Sequence, residues 1–349
     1  MTAAESVGTA SRSTEAWQIL ERARALTEPE LRRAVDRLAE PVRSVAAYHF
    51  GWLDEAGRPD NGDWGKGMRS ALVLASAQAL GAPPELAVAP AAAVELVHNF
   101  SLVHDDLMDG DVLRRGRHTV WAVFGDTQAV LTGDALLVLA MDVIAERTPR
   151  LCRAALRELC DALLGLVAGQ GADLAFELRA EVGLDECLRM AAGKTAALLA
   201  ACCALGALAA GVDDQQVARL REFGHRIGIA FQLVDDLLGI WGDTSATGKP
   251  VGADLRRRKK SLPVAAAMAG GSAAGHRLAA LYRRVEPLGD SEIREAAGLI
   301  EEAGGRRWAQ EEARRQRSAA LDCLTGTTMT AEGVCALTAI ADLITGRNM

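Results

Sequence analysis

The chain has 349 residues, of which 50% are hydrophobic and 4% aromatic, and its formal net charge is -7. Alanine and leucine dominate and β-branched runs are scarce, a composition typical of packed helices. Both signs of charge are spread along the chain and the one basic run, at 256–260, is short, so the sequence argues against nucleic-acid binding.

The N-terminal segment MTAAESVGTASRST lacks the basic start and apolar core of a signal peptide, so residues 1–14 are predicted to be a polar tail. Residues 15–349 are predicted to form one domain, because no stretch resembles an interdomain linker. The longest apolar runs, such as 129–143, contain aspartates and are interpreted as too short to span a membrane. The seven cysteines show no metal-ligand spacing and are interpreted as buried free thiols, which predicts a soluble, cytoplasmic protein.

Apolar spacing predicts two amphipathic helices between Thr14 and Ala39 that meet near Pro29. A glycine- and aspartate-rich loop, GRPDNGDWGKG, then leads into a helix predicted to begin at Met68. Lys66 and Arg69 flank this helix start, where free N–H groups and the helix dipole favour an anion.

The next predicted helix, Pro83 to Asp109, ends in three closely spaced carboxylates. Around a helix Asp105 and Asp109 differ by about 40°, and Asp106 lies about 60° from Asp109. These carboxylates would repel one another, so hard divalent cations such as Mg²⁺ are their expected partners. A solvated acidic turn is the alternative interpretation.

Three basic residues accompany these carboxylates. Arg114 and Arg115 follow in the RRG segment, and their guanidinium groups suit a ligand with phosphate oxygens. His98 precedes Asp105 by seven residues and lies about 20° from it around the helix, although a lone helical histidine is more often structural. The stretch 98–117 therefore predicts a site for a metal-bound phosphate ligand.

Three long apolar helices are predicted over 127–147, 151–179 and 184–210. The second of them places Gln170 and Asp173 on one face. The third contains Lys194 and Thr195 in otherwise uncharged sequence, where a lysine requires an anionic partner.

A second carboxylate pair ends the helix predicted over Asp213 to Leu238, in the sequence FQLVDDLLGIWGD. Gln232 and Asp236 are i, i+4 neighbours on this helix, and Asp235 is adjacent. The glycine-bearing basic loop that follows contains Lys249, Lys259 and Lys260. The shorter helices predicted after Val264 carry no recognisable functional cluster.

Only five of the 39 Lys and Arg residues are lysines, and each lies in or beside one of these motifs, as expected if compact point charges contact phosphate oxygens. Two acidic clusters with cations around them predict a cavity for metal ions and a diphosphate. The sequence has no nucleophile elbow, Walker loop or GxGxxG motif. The predicted chemistry is therefore departure of a diphosphate, which leaves a carbocation in a dry apolar pocket.

The motifs GKGMR, ELVHNFSLVHDD, DDLMD, RRG, GKT, FQLVDD and GKPVGADLRRRKKSLP occur in the order found in one family. Over residues 15–345 the chain resembles the polyprenyl synthetase family of trans-isoprenyl diphosphate synthases, and most of all its bacterial geranylgeranyl diphosphate synthases. This resemblance implies an all-α isoprenoid synthase fold, a single-domain helical bundle around a central active-site cavity. It also implies a homodimer.

The resemblance implies roles for the flagged residues. Catalysis and Mg²⁺ binding, with three ions per site once substrate is bound, would involve Asp105, Asp106, Asp109, Asp235 and Asp236. The allylic diphosphate, from a dimethylallyl, geranyl or farnesyl primer, would contact Arg114, Lys194, Thr195, Gln232, Lys249 and Lys259, with Lys194 also catalytic. Isopentenyl diphosphate would be held by Lys66, Arg69, His98 and Arg115.

The implied reaction is ionisation to an allylic cation, attack by the isopentenyl double bond and loss of a proton, helped by Thr195 and Gln232. Two departures from the family pattern occur. Gly67 and Ser70 stand where the family has an arginine and a proline, and Gly239 stands where it has the last aspartate of the second motif. Replacement of Gly239 by Asp is expected to restore that carboxylate and to raise the affinity for Mg²⁺.

Two other functions fit parts of the pattern. A class I terpene cyclase ionises the same kind of substrate, but it carries no second DD motif and would not need Lys66, Arg69 and His98. A non-catalytic partner subunit of a prenyl synthase would have lost carboxylates from the first motif, which this chain retains. Prenyl diphosphate synthesis is therefore the preferred prediction.

Product length is predicted from the turn before Asp105. Ser101 is small and lies about 40° from Asp105 around the helix, whereas the bulky Phe100 lies about 140° away, so geometry alone does not establish that Phe100 blocks the chain. In the family this pair resembles geranylgeranyl diphosphate synthases. A twenty-carbon product is predicted, with farnesyl diphosphate as the alternative.

Overall fold

The computed structural model describes residues 3–148, 151–179, 181–242, 251–284, 286–325 and 328–346, with side chains from Thr14 onward. The described chain is mostly helical and has almost no strand, which confirms the all-α prediction. Its helices are α1 (Ala3–Val35), α2 (Val42–His49), α3 (Met68–Ala79), a 3₁₀ turn (Pro84–Ala87), α4 (Val88–Asp109), α5 (Val120–Phe124), α6 (Asp126–Arg147), α7 (Cys152–Glu177), α8 (Leu184–Ala191), a π segment (Ala192–Ala196), α9 (Ala197–Ala209), α10 (Asp214–Trp241), α11 (Ala253–Arg256), α12 (Leu262–Ala269), α13 (Ala273–Tyr282), α14 (Asp290–Glu302), α15 (Gly305–Asp322) and α16 (Ala331–Thr345). The strands in this part of the chain are β1 (Leu113–Arg114) and β2 (Arg117–His118), an antiparallel pair.

The prediction that two helices meet near Pro29 is wrong. Helix α1 already begins at Ala3, inside the stretch predicted as a polar tail, and it continues through Pro29 without a break. Proline removes one hydrogen bond from a helix interior, but buried side chains on both sides of it, including Leu20 and Leu31, fix this helix by packing.

Backbone contacts divide the chain into two compact units. The first comprises Met1–Cys160, Cys202–Val217 and Thr328–Ile340. Within it α4 packs against α1, α3 and α6, and Leu96, Leu72 and Leu136 are fully buried. This packing fixes α4 along its length, so the acidic turn at its C-terminal end has a rigid base.

The second unit comprises Asp161–Ala201, Ala218–Thr327 and Ala341–Met349. One of its apolar clusters contains Leu233 and Leu237 of α10, and another contains Ile240 and Leu255. Leu233, Leu237 and Ile240 recur at helical spacing and anchor α10 by its apolar face, which leaves Asp235 exposed and Asp236 buried.

Four helical stretches are long and apolar enough to cross a membrane by length and composition, which corrects the expectation that the apolar runs are too short. They are Pro84–Asp109, Asp126–Arg147, Cys152–Glu177 and Leu184–Ala209. In the first and last of these, 72% and 67% of the apolar window is buried inside the protein, so this apolar length serves packing. The cysteines are all free thiols, but Cys160 and Cys335 are exposed, contrary to the prediction that every thiol is buried.

Candidate active site

The acidic turn at the end of α4 presents its three carboxylates differently. Asp105 is partly exposed, Asp109 is exposed, and Asp106 is only 2% exposed. The helix ends at Gly110, whose φ of 66° is the left-handed conformation that glycine adopts at helix C-termini. Asp105 and Asp109 therefore stand one turn apart on the accessible part of the helix end, as the sequence predicted.

Asp106 has a different environment, because it is bound to Arg114. The Arg114 Nε lies 2.8 Å from each carboxylate oxygen of Asp106, and Nη2 lies 2.6 Å from one of them. Burial raises the pKa of Asp106, while these hydrogen bonds act in the opposite direction. The geometry makes Asp106 the residue that orients Arg114.

The RRG segment forms the tight turn between β1 and β2. Arg115 and Gly116 both have positive φ, 52° and 76°, the pattern of a type I′ hairpin turn. Arg115 is thereby placed at the tip of the hairpin, with Nη1 3.5 Å from the carbonyl oxygen of Asp63. A cleft beside the hairpin is lined by Arg114, Arg115, Asp106 and His49, among others.

Helix α3 begins at Met68, as predicted, and its first turn carries Arg69, a partly buried residue of the same unit. The Nε of Arg69 is buried and has no hydrogen-bond partner within the described ranges. Burial lowers the pKa of Arg69, and the charge of Glu95, a buried carboxylate, partly offsets this. An unpaired guanidinium N–H in the interior fits an anionic ligand.

His98 lies among these arginines. Burial lowers its pKa well below the usual value, and the charges of Arg69, Arg115 and Arg114 lower it further. His98 is therefore a neutral imidazole in this structure, available to a ligand as a hydrogen-bond donor and not as a cation.

Lys66 is exposed and lies over the ring of Trp17, with Nζ 5.2 Å from the ring centroid. The next residue, Gly67, stands where the family pattern has an arginine. Its φ is 65°, and a Cβ there would lie 2.5 Å from Cγ of Arg24. The second departure, Ser70, donates its backbone N–H to Glu95 at 2.9 Å, a bond that proline could not make. Both departures therefore fit the local packing.

Sequence reasoning missed His49. Asn99 donates its amide to the Glu95 carbonyl oxygen at 2.8 Å, so its own oxygen faces the ring and accepts from His49 at 3.0 Å. Burial, with Arg115 and Arg114, lowers the pKa of His49 to about 3. The residue carries no sequence signal, because it lies about 50 positions from the helix that it contacts.

The two residues predicted to set product length lie on α4. The Phe100 ring packs edge-on against His104, with centroids 5.0 Å apart, and is 7% exposed. His104 in turn lies against Gly133 of α6, where a Cβ would be 2.1 Å from its Nε2. Ser101 is also buried and donates its hydroxyl to the His98 carbonyl oxygen at 2.8 Å.

In the second unit, Asp235 is exposed on α10, which continues beyond it to Trp241, whereas Asp236 is only 1% exposed. Asp236 accepts hydrogen bonds from the backbone N–H of Leu262 at 2.8 Å and from Nε2 of Gln232 at 2.9 Å, and Lys259 lies 3.8 Å away. Burial raises the pKa of Asp236 to about 6 even though Lys259 acts against it. As in the first motif, one aspartate is accessible and its neighbour is held by the protein.

Lys194 and Thr195 lie on the π segment between α8 and α9. Lys194 pairs with Asp173 of α7 at 2.6 Å, which supplies the anionic partner that the sequence required. Thr195 donates its hydroxyl to Oε1 of Gln232 at 2.5 Å. The π segment, in which backbone hydrogen bonds join residues five apart, thus sets the direction of the Lys194 and Thr195 side chains. Such segments are frequent at functional sites.

Glycines let α7 approach this segment closely. A Cβ at Gly169 would lie 2.2 Å from the backbone nitrogen of Lys194, and one at Gly193 would lie 2.6 Å from the carbonyl oxygen of Gly165. The next residue, Gln170, has both amide atoms buried without a hydrogen-bond partner in the described part of the chain. This face of α7 therefore retains unused polar groups.

The described residues contain no group of three or more His, Cys, Asp or Glu side chains arranged to hold a metal ion. Mg²⁺ does not require such a group, because it retains water and is usually held by one or two carboxylates together with substrate phosphates. Asp105 with Asp109, and Asp235 in the other unit, are accessible oxygen donors of this kind. The donor set fits Mg²⁺. Lys249, predicted to contact the allylic diphosphate, lies outside the described residues.

Comparison with known proteins agrees with this chemistry. The family model described as polyprenyl synthetase matches residues 52–300. The (2E,6E)-farnesyl diphosphate synthase of Mycobacterium tuberculosis is 52% identical over 309 residues, which cover 87% of this chain and 86% of the relative. The geranylgeranyl diphosphate synthase of the same species is 49% identical over 308 residues, 88% of each chain.

A polyprenyl synthetase from Streptomyces coelicolor A3(2), known from its crystal structure, has a TM-score of 0.89 to this chain at 49% identity. The match covers 94% of this chain and 98% of that one. With the family model it confirms the resemblance to the polyprenyl synthetase family and the isoprenoid synthase fold that the sequence predicted. The chain therefore belongs to the polyprenyl synthetase family and is a trans-prenyltransferase.

Proposed function

We propose that this enzyme condenses isopentenyl diphosphate with an allylic diphosphate of the dimethylallyl, geranyl or farnesyl type, and that its main product is geranylgeranyl diphosphate. The observation that carries the proposal is the end of α4. Two accessible carboxylates stand one turn apart there, beside an arginine that Asp106 holds in place. The buried Nε of Arg69 in the same unit, which has no hydrogen-bond partner among the described residues, supports an anionic substrate.

When bound, Mg²⁺ supplies positive charge that stabilises the departing diphosphate. Asp105 and Asp109 are the proposed ligands in the first motif, and Asp106 acts by orienting Arg114, which contacts the allylic diphosphate. In the second motif Asp235 is the proposed Mg²⁺ ligand, and the buried Asp236 is proposed to have a supporting role, as Asp106 does in the first motif. Three ions per site, as in the family pattern, remain part of the proposal.

For isopentenyl diphosphate we propose the cations Lys66, Arg69 and Arg115, with His98 as a neutral hydrogen-bond donor. Neutral His98 is consistent with its surroundings, because a positive charge there would face three guanidinium groups. The diphosphate of the substrate supplies the negative charge that pairs with these cations.

On the second unit, Lys194, Thr195, Gln232 and Lys259 have the proposed allylic-diphosphate role. The hydrogen bonds from Thr195 to Gln232 and from Gln232 to Asp236 form a continuous string. Such a string fixes the direction of the Thr195 hydroxyl, which suits it to assist the loss of a proton after the new carbon-carbon bond forms. Released diphosphate is the proposed final proton acceptor.

Product length is the first point to test. Phe100→Ala is expected to lengthen the products beyond twenty carbons, because it removes a buried ring from α4, and Ser101→Phe is expected to shorten them. The measurement is chromatography of the dephosphorylated products after incubation with Mg²⁺, isopentenyl diphosphate and each primer. Farnesyl diphosphate is the second candidate, favoured by the relative at 52% identity.

Leu164→Ala, an exposed position on α7 to which no role is assigned, serves as the matched control and should leave the products unchanged. If the Phe100→Ala enzyme is active and has the parent's product distribution, then Phe100 does not limit product length, and other residues form the end of the cavity. A parent enzyme that stops at fifteen carbons with every primer would replace the twenty-carbon proposal by farnesyl diphosphate synthesis.

We also propose a soluble, cytoplasmic homodimer. Three apolar side chains, Val130, Leu131 and Val138, are exposed on α6, and Val138 is 66% exposed. Leu131 and Val138 are seven residues apart and share one stripe of the helix, as expected of an interface between helices.

Val138→Glu is expected to shift the protein from dimer to monomer, because a charge would be buried without a partner. Light scattering coupled to size-exclusion chromatography measures this change. Leu86→Glu, which alters another exposed apolar residue, on the 3₁₀ turn Pro84–Ala87, is the control and should remain dimeric. A dimeric Val138→Glu protein would show that this stripe is not the interface.

A further inference from the structure

One face of helix α1 packs against the irregular segment that leads into α3. The guanidinium carbon of Arg24 lies 5.1 Å from the ring centroid of Trp64, a side chain that is only 1% exposed. Trp17 lies seven residues before Arg24 and therefore on the same face of the helix. The ring of Trp17 carries the Nζ of Lys66 at 5.2 Å. Because a cation is attracted to the face of an aromatic ring, α1 holds this segment at two points.

Arg24 makes two further contacts with the segment. Its Nη1 lies 3.0 Å from Oδ1 of Asp63, and the same oxygen accepts the backbone N–H of Gly65 at 3.0 Å. The stem of Arg24 also lies against Gly67, where a Cβ would be 2.5 Å from the arginine Cγ. A single side chain of α1 therefore contacts the start, the middle and the end of residues 63–67.

Residues 63–67 in turn support Arg115. The carbonyl oxygen of Asp63 lies 3.5 Å from Nη1 of Arg115, and a Cβ at Gly65 would lie 2.9 Å from Nη2. The guanidinium group of Arg115 thus rests on the backbone that Arg24 contacts from the other helix. Because residues 61–67 are irregular, side-chain contacts of this kind set the position of the segment and of the cations beside it.

We propose that Arg24 and Trp17 of α1 are positioning residues for the binding of isopentenyl diphosphate. Arg24 acts on Arg115 through Asp63, and Trp17 acts on Lys66. The inference rests on the proposed function, which assigns both cations to this substrate. Neither α1 residue belongs to the motifs that carry the family resemblance, the first of which is GKGMR. Because hydrogen bonds between a guanidinium group and phosphate depend on geometry, a displaced arginine binds a diphosphate less tightly.

The test is calorimetric titration of the full chain with isopentenyl diphosphate in the absence of an allylic primer, so that no turnover occurs. Arg24→Met keeps an apolar stem but removes the charge, and it should weaken binding about fivefold, the size of effect expected from a lost cation–ring contact. Arg24→Lys keeps the cation and should bind within about twofold of the parent. Trp17→Leu should weaken binding about threefold, whereas Trp17→Phe, which keeps an aromatic face, should retain most of the affinity.

Steady-state kinetics separate positioning from a general loss of structure. In Arg24→Met and Trp17→Leu, the KM for isopentenyl diphosphate should rise by the same factors as the dissociation constant. The kcat and the KM for the allylic primer should stay at the parent's values, because the reacting groups and the allylic diphosphate site are unaltered. A fall in kcat with an unchanged KM for isopentenyl diphosphate would contradict the inference.

Arg32→Met is the matched control, because Arg32 makes the same kind of contact from α1, 4.4 Å from the ring of Trp52 and outside residues 63–67. It should bind isopentenyl diphosphate as the parent does, and circular dichroism verifies that each variant is folded. The inference is overturned if folded Arg24→Met binds like the parent, or if Arg32→Met weakens binding equally. Arg115→Gln separates the two levels: if it too leaves binding unchanged, the proposed isopentenyl diphosphate site itself fails.

Discussion

Asp105→Asn is expected to reduce turnover by about 10³-fold, because the amide cannot hold the cation whose charge stabilises the departing diphosphate. Asp105 is partly exposed at the end of a helix packed along its length, so the fold should be unaffected. The measurement is steady-state turnover at saturating Mg²⁺ together with thermal unfolding. Asp161→Asn, an exposed aspartate on α7, is the control and should keep the parent's rate.

Asp106→Ala provides the contrast. It removes the partner of Arg114, so we expect lost turnover together with a stability loss of about 1–3 kcal/mol from the unsatisfied guanidinium. Turnover of Asp105→Asn within a few-fold of the parent would refute the metal role. Equal stability losses in both variants would refute the division between an accessible ligand and a supporting aspartate.

Gly169→Ala is expected to destabilise the protein by about 3 kcal/mol, the upper range for overpacking. Its methyl group would lie 2.2 Å from the Lys194 nitrogen, which is backbone and cannot rotate away. The π segment must therefore move, and Lys194 and Thr195 move with it. Turnover should fall along with the free energy of unfolding, which denaturant titration measures.

The same helix offers a matched control two residues away. Gly171 is exposed and a Cβ there would meet no atom within 4 Å. Gly171→Ala should therefore stabilise the protein by about 0.5–1 kcal/mol, the ordinary gain from alanine in a helix. If both variants change stability in the same direction, the close approach of α7 to the π segment is not the cause.

Local patterns predicted the elements that carry the site. The carboxylates at the end of α4, the helix start at Met68 and the DD pair on α10 all follow from helical spacing and from turn residues, which are short-range signals. The requirement for an anion beside Lys194 was also predicted. Its partner, Asp173, lies 21 residues away, and only the packing of α7 on the π segment brings the two together.

Other features depend on packing that spacing cannot indicate. The helix continues through Pro29 because tertiary contacts outweigh one lost hydrogen bond. Asp105 and Asp106 are assigned different roles because Arg114, which lies on the β1–β2 hairpin, contacts the carboxylate of Asp106. The sequence shows that position 239 is a glycine. It does not show that the carboxylate of Asp254, on α11, occupies the space beside this glycine.

The most direct measurement is release of diphosphate from farnesyl diphosphate by the full chain with Mg²⁺, with and without isopentenyl diphosphate. A prenyl synthase should release diphosphate at least about tenfold faster when isopentenyl diphosphate is present, because attack by its double bond consumes the cation. Chelation of Mg²⁺ should abolish the release. Equal rates without isopentenyl diphosphate would indicate a terpene cyclase, and no release with any allylic primer would indicate a non-catalytic partner subunit; either result would contradict the account.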